Sequence, residues 1–220
     1  MLAIDLISEE IPPLKDSDNG RLALNWMEDF KISHLPIVKG QNYIGMISEE
    51  DVLDQDDDSI AVGKYDLELS KVFVHQYEHV YEVISRMSVS KIRIMPVLGE
   101  EAQYLGCITV DTIIEKISHL AAMKDPGGIL QLEVNVNDYS LAEISNIVES
   151  NGAKILSSYI FTHDDSTKMD VTIKINQTDL SAIIQTFERY NYTISASFHK
   201  SEMEAEIKRK FDAFLHYLNM

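Results

Sequence analysis

The chain has 220 residues, enough for two small domains or one large one, and its 45% apolar and 25% charged residues are typical of a globular protein. Its 36 acidic against 19 basic side chains give a formal charge of −17, which repels phosphate groups, so we expect neither a nucleic acid nor a membrane as partner. The acidic start MLAIDLISEE is unlike a signal peptide, and no apolar run approaches the ~18 residues of a membrane span, so we expect a cytoplasmic protein.

The first half of the chain contains an internal repeat of about sixty residues that occurs twice. Residues 18–54 predict the order helix, strand, strand, helix, and residues 78–122 predict the same order. The third and fourth elements of each copy carry one phrase, YIGMISEEDVL at 43–53 and YLGCITVDTII at 104–114. We therefore predict a pair over 1–123, made of repeat one, 1–58, and repeat two, 66–123.

Proline and two glycines in MKDPGG break the helical pattern and predict a linker over 124–128. The pattern beyond it is βαββαβ, the order of a ferredoxin-like fold in which two helices cover one face of a four-stranded antiparallel sheet. Its elements are ILQLEVNV, a helix over 140–151, AKILSSYIF, MDVTIKI, a helix over 179–190 and YTISASF. We predict this domain over residues 129–199, with one face of its sheet not covered by its own helices.

The last segment, residues 200–220, predicts an amphipathic helix. Ser201 and Glu204 give a capping-box signature at its start. Its apolar stripe includes Phe211, Phe214, Leu215 and Leu218. This stripe predicts either packing on the preceding domain or a contact between two copies of the chain.

The duplicated phrase has two interpretations in repeat one. In the first, a strand runs directly into a helix, Ser48 caps that helix, and the Asp51 carboxylate returns to the cap amide. Such a box implies no ligand. In the second, the free amides of the helix start and the Ser48 hydroxyl bind a phosphate. The Asp51 carboxylate would then accept hydrogen bonds from the two neighbouring hydroxyls of a ribose.

Residues 1 to about 123 resemble two cystathionine-β-synthase (CBS) repeats. The resemblance is carried by ISHLPIVKG with YIGMISEEDVL, and by IRIMPVLGE with YLGCITVDTII. It implies one module with two clefts that hold adenosine ligands such as AMP, ADP, ATP or S-adenosylmethionine. It also implies that Asp51 contacts the ribose and Ser48 the phosphate side. The adenine-side walls that it implies are Pro13, Leu35, Pro36 and Ile37.

The second repeat departs from this pattern. Thr112 stands where the acid is expected and Asp111 lies one place early, so Thr109 and Asp111 form a complete site only if Asp111 turns inward. A threonine hydroxyl does not replace the two acceptor oxygens of a carboxylate. We therefore predict one fully equipped cleft, centred on Asp51. Arg93, just before IMPVL, is predicted either to bind phosphate, as the resemblance implies, or to pair with a neighbouring acid.

Residues 129–199 resemble an ACT domain, a small regulatory fold that often binds amino acids between paired chains. The topology and the segment VNVNDYSLAEISNIVESNGAKI carry this resemblance. The glycine that normally follows the acid in the first loop is absent, which leaves open an amino-acid site or a domain that only dimerises. The order CBS, CBS, ACT is similar to that of bacterial acetoin-utilisation accessory proteins. The expected fold class is α+β, with tandem CBS repeats, a ferredoxin-like ACT-type domain and a C-terminal helix.

The sequence offers no catalytic or metal-binding pattern. It contains no HExxH, G-x-S-x-G, phosphate-binding loop or dinucleotide fingerprint, so no enzyme activity is expected. The acidic loop DQDDDS, 54–59, lacks the glycine and the glutamate of a calcium loop, so no metal site is expected there. The single cysteine, Cys107, lies in an apolar run that predicts a buried, unreactive thiol.

These features predict a non-enzymatic regulatory homodimer without a cofactor. It would sense an adenosine nucleotide or S-adenosylmethionine in the CBS cleft and relay its state to the ACT-like domain or to an unidentified protein partner. Two alternatives remain: a constitutive dimerisation and interaction scaffold without a ligand, and a non-catalytic subunit of a separate enzyme. The intact pattern from Ser48 to Asp51 favours the sensor, and the missing second acid favours the scaffold.

Overall fold

The structure, a computed structural model, describes residues 1–65, 70–120, 122–163 and 167–198. The chain divides into two compact units, Met1–Ile117 and Ser118–Met220. Within the described ranges there are six α-helices and three sheets, so the predicted α+β fold class is confirmed. The helix predicted for residues 200–220 lies outside the described residues.

Repeat one consists of β1 (Leu14–Lys15), α1 (Gly20–Phe30), β2 (His34–Lys39), β3 (Asn42–Ser48) and α2 (Glu49–Leu53). Its sheet has the order β1-β2-β3, in which β1 runs parallel to β2 and β3 runs antiparallel to it. The predicted order of helix, strand, strand and helix is confirmed, and a two-residue strand precedes it.

Repeat two consists of β4 (Val74–His75), α3 (Val80–Ser90), β5 (Ile94–Leu98), β6 (Tyr104–Thr109) and α4 (Val110–Leu120). Its sheet, β4-β5-β6, has the same strand directions as that of repeat one. The duplicated phrase therefore forms the third strand and the following helix in both repeats.

The two repeats end their first helix in the same way. Lys31 follows α1 and Lys91 follows α3, each with φ of 56°, a left-handed conformation that stops a helix and turns the chain into the next strand. Helix α3 buries Val83 and Met87 on one face, at the spacing that a period of 3.6 residues requires. Local sequence thus explains where these helices stop and which face they bury.

The two repeats are joined by shared core residues and a hydrogen bond, so they form one unit. Residues 1–7 begin repeat one in the chain, yet Ala3 and Leu6 are completely buried in the hydrophobic core of repeat two. The Tyr43 hydroxyl of repeat one also donates to the carbonyl of Val72, just before β4 in repeat two, at 2.8 Å. The first residues of repeat one therefore belong to the hydrophobic core of repeat two.

The second unit has the predicted βαββαβ order. Its elements are β7 (Gly128–Asn135), α5 (Leu141–Ser150), β8 (Ile155–Thr162), β9 (Lys168–Ile175), α6 (Ser181–Arg189) and β10 (Thr193–Phe198). All neighbouring strands are antiparallel in the order β10-β7-β9-β8, so β10 and β8 are the outer strands. Alternate residues of β7, such as Leu130 and Leu132, share one core with Ile144 of α5 and Phe187 of α6. One face of the sheet is thus covered by the two helices.

Candidate functional site

The start of α2 is closed by a reciprocal pair of hydrogen bonds. The Ser48 hydroxyl accepts from the Asp51 amide at 3.0 Å, and the Asp51 carboxylate accepts from the Ser48 amide at 2.8 Å. The capping box that the sequence indicated is therefore confirmed. The box uses Oδ2 of a half-buried carboxylate, and an ionised carboxylate has about four lone-pair sites, so Asp51 keeps acceptor capacity for a ligand.

A groove of about 450 Å³ opens beside this helix start. Its lining residues are Ser33, His34, Ser48, Glu49, Glu50, Leu53 and Asp54. His34 lies directly opposite Ser48 in the pairing of β2 with β3, and its Nδ1 is 2.9 Å from the Ser33 hydroxyl. Burial lowers the pKa of His34, and the nearby Asp51 carboxylate opposes this shift. The imidazole is therefore neutral at neutral pH.

A second pocket, of about 610 Å³, adjoins the groove through three shared residues, Ser33, Glu49 and Leu53. It is lined by Leu24, Asn25, Met27, Glu28, Lys31, Ile32, Ser33, Glu49, Leu53 and Arg93. Arg93 is an exposed residue of repeat two, so both repeats contribute to this pocket. Lys31 and Arg93 supply positive charge here, and Glu28 and Glu49 supply negative charge.

In repeat two, the start of α4 is capped by hydroxyl groups and not by a carboxylate. Thr109 is 5% exposed, and its hydroxyl accepts from the Thr112 amide at 3.1 Å. The hydroxyl oxygens of Thr109 and Thr112 are 2.9 Å apart, so Thr112 takes the position of the missing acid. Asp111 is exposed and does not turn inward. The acidic contact that would complete the second cleft is therefore missing at this helix start.

The proposed adenine-side residues lie apart from these two pockets. Leu35 and Ile37 are 0% exposed in the core of repeat one, and Pro36 between them is also buried. Pro13 is partly exposed and directly precedes β1. None of the four lines either pocket around α2. Their contact with an adenine ring stays a prediction.

Of the residues that line these pockets, sequence reasoning selected only Ser48 and Arg93; among those it did not select are Lys31, Ser33, His34 and Leu53. The position of His34 opposite Ser48 depends on a local irregularity of the sheet. Strands β2 and β3 are joined by a tight turn at Gly40 and Gln41, and counting back from it would place His34 opposite Ile47; an irregularity between Ile37 and Val38 shifts the pairing by one residue and brings His34 opposite Ser48. The other three lie at helix ends, where spacing alone indicates no binding role.

The second unit has its own pocket, of about 270 Å³, at the end of β7. Glu133, Asp138, Glu143 and Lys168 are among its lining residues. The Tyr192 hydroxyl donates to Glu143 Oε2 at 2.9 Å, and burial together with this bond raises the pKa of Tyr192 to about 12. The pocket lies at the loop where the amino-acid site of an ACT domain was considered from the sequence, and its charged lining residues are three acids and one lysine.

Neither a metal cluster nor a membrane span is found in the part of the chain that the structure describes. Within those residues, no three His, Cys, Asp or Glu side chains are grouped so that they could hold a metal ion. Over the same residues, no helix combines the length and the apolar character that a bilayer crossing requires.

Comparison with known proteins identifies the first unit. The family model of the CBS domain matches residues 5–58 and 66–119. A crystal structure of a CBS domain pair/ACT domain protein from Thermotoga maritima is 21% identical with a TM-score of 0.47, and the match covers 54% of this chain and 98% of that chain. A crystal structure of CBSX2 in complex with AMP is 18% identical with a TM-score of 0.46, covering 54% of this chain and 96% of that chain.

A curated relative is a much longer protein. The inosine-5'-monophosphate dehydrogenase of Korarchaeum cryptofilum (strain OPF8) is 23% identical over 158 residues, which are 72% of this chain and 31% of the enzyme. This chain spans about a third of the length of the curated relatives it matches.

Proposed function

Residues 5–58 and 66–119 are a tandem pair of CBS domains, and we propose that this pair binds one adenosine-type ligand in the groove that Ser48 lines, within reach of Asp51, which is bonded to Ser48 but does not itself line the groove. CBS domain pairs are regulatory ligand-binding modules. The candidate ligands are AMP, ADP, ATP and S-adenosylmethionine. The ligand acts as a signal, and the chain itself performs no reaction on it.

The proposal is carried by the difference between the two helix starts. In repeat one a half-buried carboxylate stands three residues after the cap, bonded to Ser48, which lines the groove. In repeat two the Thr112 hydroxyl stands in that position. A ribose presents two neighbouring hydroxyl donors, and the two oxygens of a carboxylate accept from both, whereas a threonine offers one oxygen. One ligand per chain, held at Asp51, is therefore expected.

The charges around the groove favour a ligand with few negative charges. Lys31 and Arg93 can each meet one phosphate oxygen, since both line the adjoining pocket. Glu49, Glu50 and Asp54 line the groove itself and repel further phosphates. Two unit charges 4 Å apart interact by about 4 kcal/mol at an effective dielectric of 20, so each added phosphate is costly there. AMP and S-adenosylmethionine are therefore expected to bind more tightly than ATP when no divalent cation is present.

Calorimetric titration of the four candidate ligands tests this proposal. The wild-type chain should bind at least one of them with a stoichiometry near one, and Asp51→Ala should lose that binding. Asp111→Ala is the matched control, because it removes an exposed carboxylate from the first turn of α4 and changes the net charge equally. Its affinity should equal that of the wild type.

Three results would contradict the proposal. One is the absence of heat with all four ligands at millimolar concentration, which would leave the constitutive scaffold as the better description. Another is equal loss of binding in Asp51→Ala and Asp111→Ala, because a general effect of the net charge would then explain the loss in both variants. The third is unchanged binding in Asp51→Ala, which would show that the ligand does not bind at Ser48 and Asp51.

The regulatory output is the second part of the proposal. A ligand changes a conformational equilibrium only by its different affinity for the two states. Hydrogen exchange of the second unit, measured with and without saturating AMP, reports whether the state of the CBS pair reaches it. Changed protection of β7 supports a relay, and unchanged protection throughout the second unit would limit the signal to the CBS pair or to a separate partner.

A further inference from the structure

His34 supplies the imidazole of the groove beside the start of α2. It lies opposite Ser48 in the antiparallel pairing of β2 with β3, so the two side chains stand on the same face of the sheet. The Cα atoms of directly opposite residues are about 4.5–5.5 Å apart. An anion that accepts a hydrogen bond from the Ser48 hydroxyl in this groove is therefore within reach of the imidazole.

The imidazole of His34 is held at one of its two nitrogens. Its Nδ1 lies 2.9 Å from the Ser33 hydroxyl oxygen, and among the residues that the structure describes Nε2 has no hydrogen-bond partner. A hydroxyl both donates and accepts, so the Ser33 contact is kept whether or not Nδ1 carries a proton. In the protonated ring both nitrogens donate, and Nε2 then offers an N–H to a ligand. The ring can therefore gain a proton without losing its existing contact.

The charged side chains around His34 are mainly acidic. Those that line the groove, its adjoining pocket or the cap of α2 are Glu49, Glu50, Asp51 and Asp54 of α2, Glu28 of α1, Lys31 directly after α1, and Arg93 directly before β5. Strand β3 places the neutral Ser48 opposite His34, and Lys15 of β1 lies opposite Val38, at the far end of β2. Burial lowers the pKa of His34 and the Asp51 carboxylate opposes this shift, so the ring without a ligand is neutral near neutral pH.

We propose that His34 distinguishes an anionic from a cationic adenosine ligand in this groove, and that AMP binds together with a proton that the imidazole takes from solvent. This inference rests on the proposed binding at Ser48 and Asp51. A phosphate monoester carries a charge of about −1.5 to −2 at neutral pH, and an opposite charge within about 4–6 Å favours the protonated ring. The ammonium and sulfonium groups of S-adenosylmethionine favour the neutral ring instead. Acidification therefore shifts the specificity of the site toward AMP.

Calorimetry of the full chain at several pH values tests this inference. From about pH 8 to about pH 6.5 the affinity of the wild type for AMP should rise about fivefold, which corresponds to roughly half a proton taken up per ligand. The affinity for adenosine should not change, and the affinity for S-adenosylmethionine should not rise. His34→Gln should lose the rise for AMP, and the titration of the phosphate itself is common to both proteins. His75→Gln, which removes an exposed imidazole that lines neither pocket, should keep it.

Two further measurements separate a charge contact from a structural role of His34. In two buffers of different ionisation enthalpy, the heats of AMP binding near neutral pH should differ for the wild type and agree for His34→Gln. His34→Lys carries a fixed positive charge, so at about pH 8 it should bind AMP about fivefold more tightly than the wild type does.

Three results would overturn the inference. They are a rise in AMP affinity that His34→Gln retains, an equal rise for adenosine, and a His34→Lys affinity no higher than that of the wild type at the same pH. AMP binding that does not change with pH would overturn the inference alone. Absence of AMP binding at every pH would overturn the proposed function as well.

Discussion

Asp51 is expected to serve both the fold and the ligand, and two alanine variants separate these roles. Asp51→Ala removes the carboxylate that accepts from the Ser48 amide at 2.8 Å, and Ser48→Ala removes the hydroxyl that accepts from the Asp51 amide at 3.0 Å. Both changes break the capping box, so each should lower the free energy of unfolding by about 1–2 kcal/mol. Only Asp51→Ala also removes the ribose contact.

The two variants should therefore differ in ligand affinity. A hydrogen bond to a charged acceptor contributes about 1.5–3 kcal/mol, so losing two of them at Asp51 costs at least about 3 kcal/mol, or about a hundredfold in Kd. Ser48→Ala loses one hydrogen bond to the phosphate, about 1.5 kcal/mol at the lower end of the same range, or about tenfold. Similar losses of stability should thus accompany different losses of binding.

Urea unfolding with and without AMP measures both effects. At a nucleotide concentration of a hundred times the wild-type Kd, bound ligand should stabilise the wild type by about 2.7 kcal/mol. The same concentration should stabilise Ser48→Ala by about 1.4 kcal/mol and Asp51→Ala by only about 0.4 kcal/mol. Equal stabilisation of the two variants by AMP would refute a ribose contact at Asp51 and leave the residue as a helix cap alone.

Three further changes test the surroundings of the site. Thr112→Asp supplies the acid that repeat two lacks, so calorimetry should find close to two ligands per chain. A stoichiometry that stays at one would show that the missing acid is not what prevents binding in the second cleft. Arg93→Gln removes a positive charge that lines the pocket, so it should weaken the binding of AMP by about tenfold and leave the affinity for adenosine unchanged. Equal effects on the two affinities would contradict a phosphate contact. Burial lowers the pKa of His34 below 6.5, so the unfolded chain takes up this proton at a higher pH than the folded chain. The stability that neutral His34 contributes is present above pH 6.5 and is lost as the pH falls toward the lower pKa of the folded state. His34→Gln should remove this part of the pH dependence in chemical unfolding, and an unchanged slope would exclude His34 as its source.

The repeated architecture could be predicted because its signals are local. Helices α3 and α4 follow apolar stripes at helical spacing, and the phrase at 43–53 and 104–114 marks the same strand and helix in both repeats. The βαββαβ order of the second unit could be predicted for the same reason. Strands β1 and β4 have two residues each, too few to show a period, so they were not predicted.

The site could be predicted only in part because it depends on contacts between distant segments. The hydrogen bonds between Ser48 and Asp51 follow from a spacing of three residues. The burial of Ala3 and Leu6 in repeat two, by contrast, leaves no periodic signal in the chain. Arg93 reaches a pocket of repeat one through the packing of the two repeats, which spacing within either repeat does not encode.

A crystal structure of the chain with saturating AMP would test the central claim most directly. We predict one nucleotide per chain, with the O2′ and O3′ hydroxyls of its ribose within hydrogen-bond distance of the Asp51 carboxylate and its phosphate on the side of Arg93. Nucleotide bound at Thr109 and Thr112 with the groove beside Ser48 empty, or no nucleotide in the CBS pair at all, would contradict it.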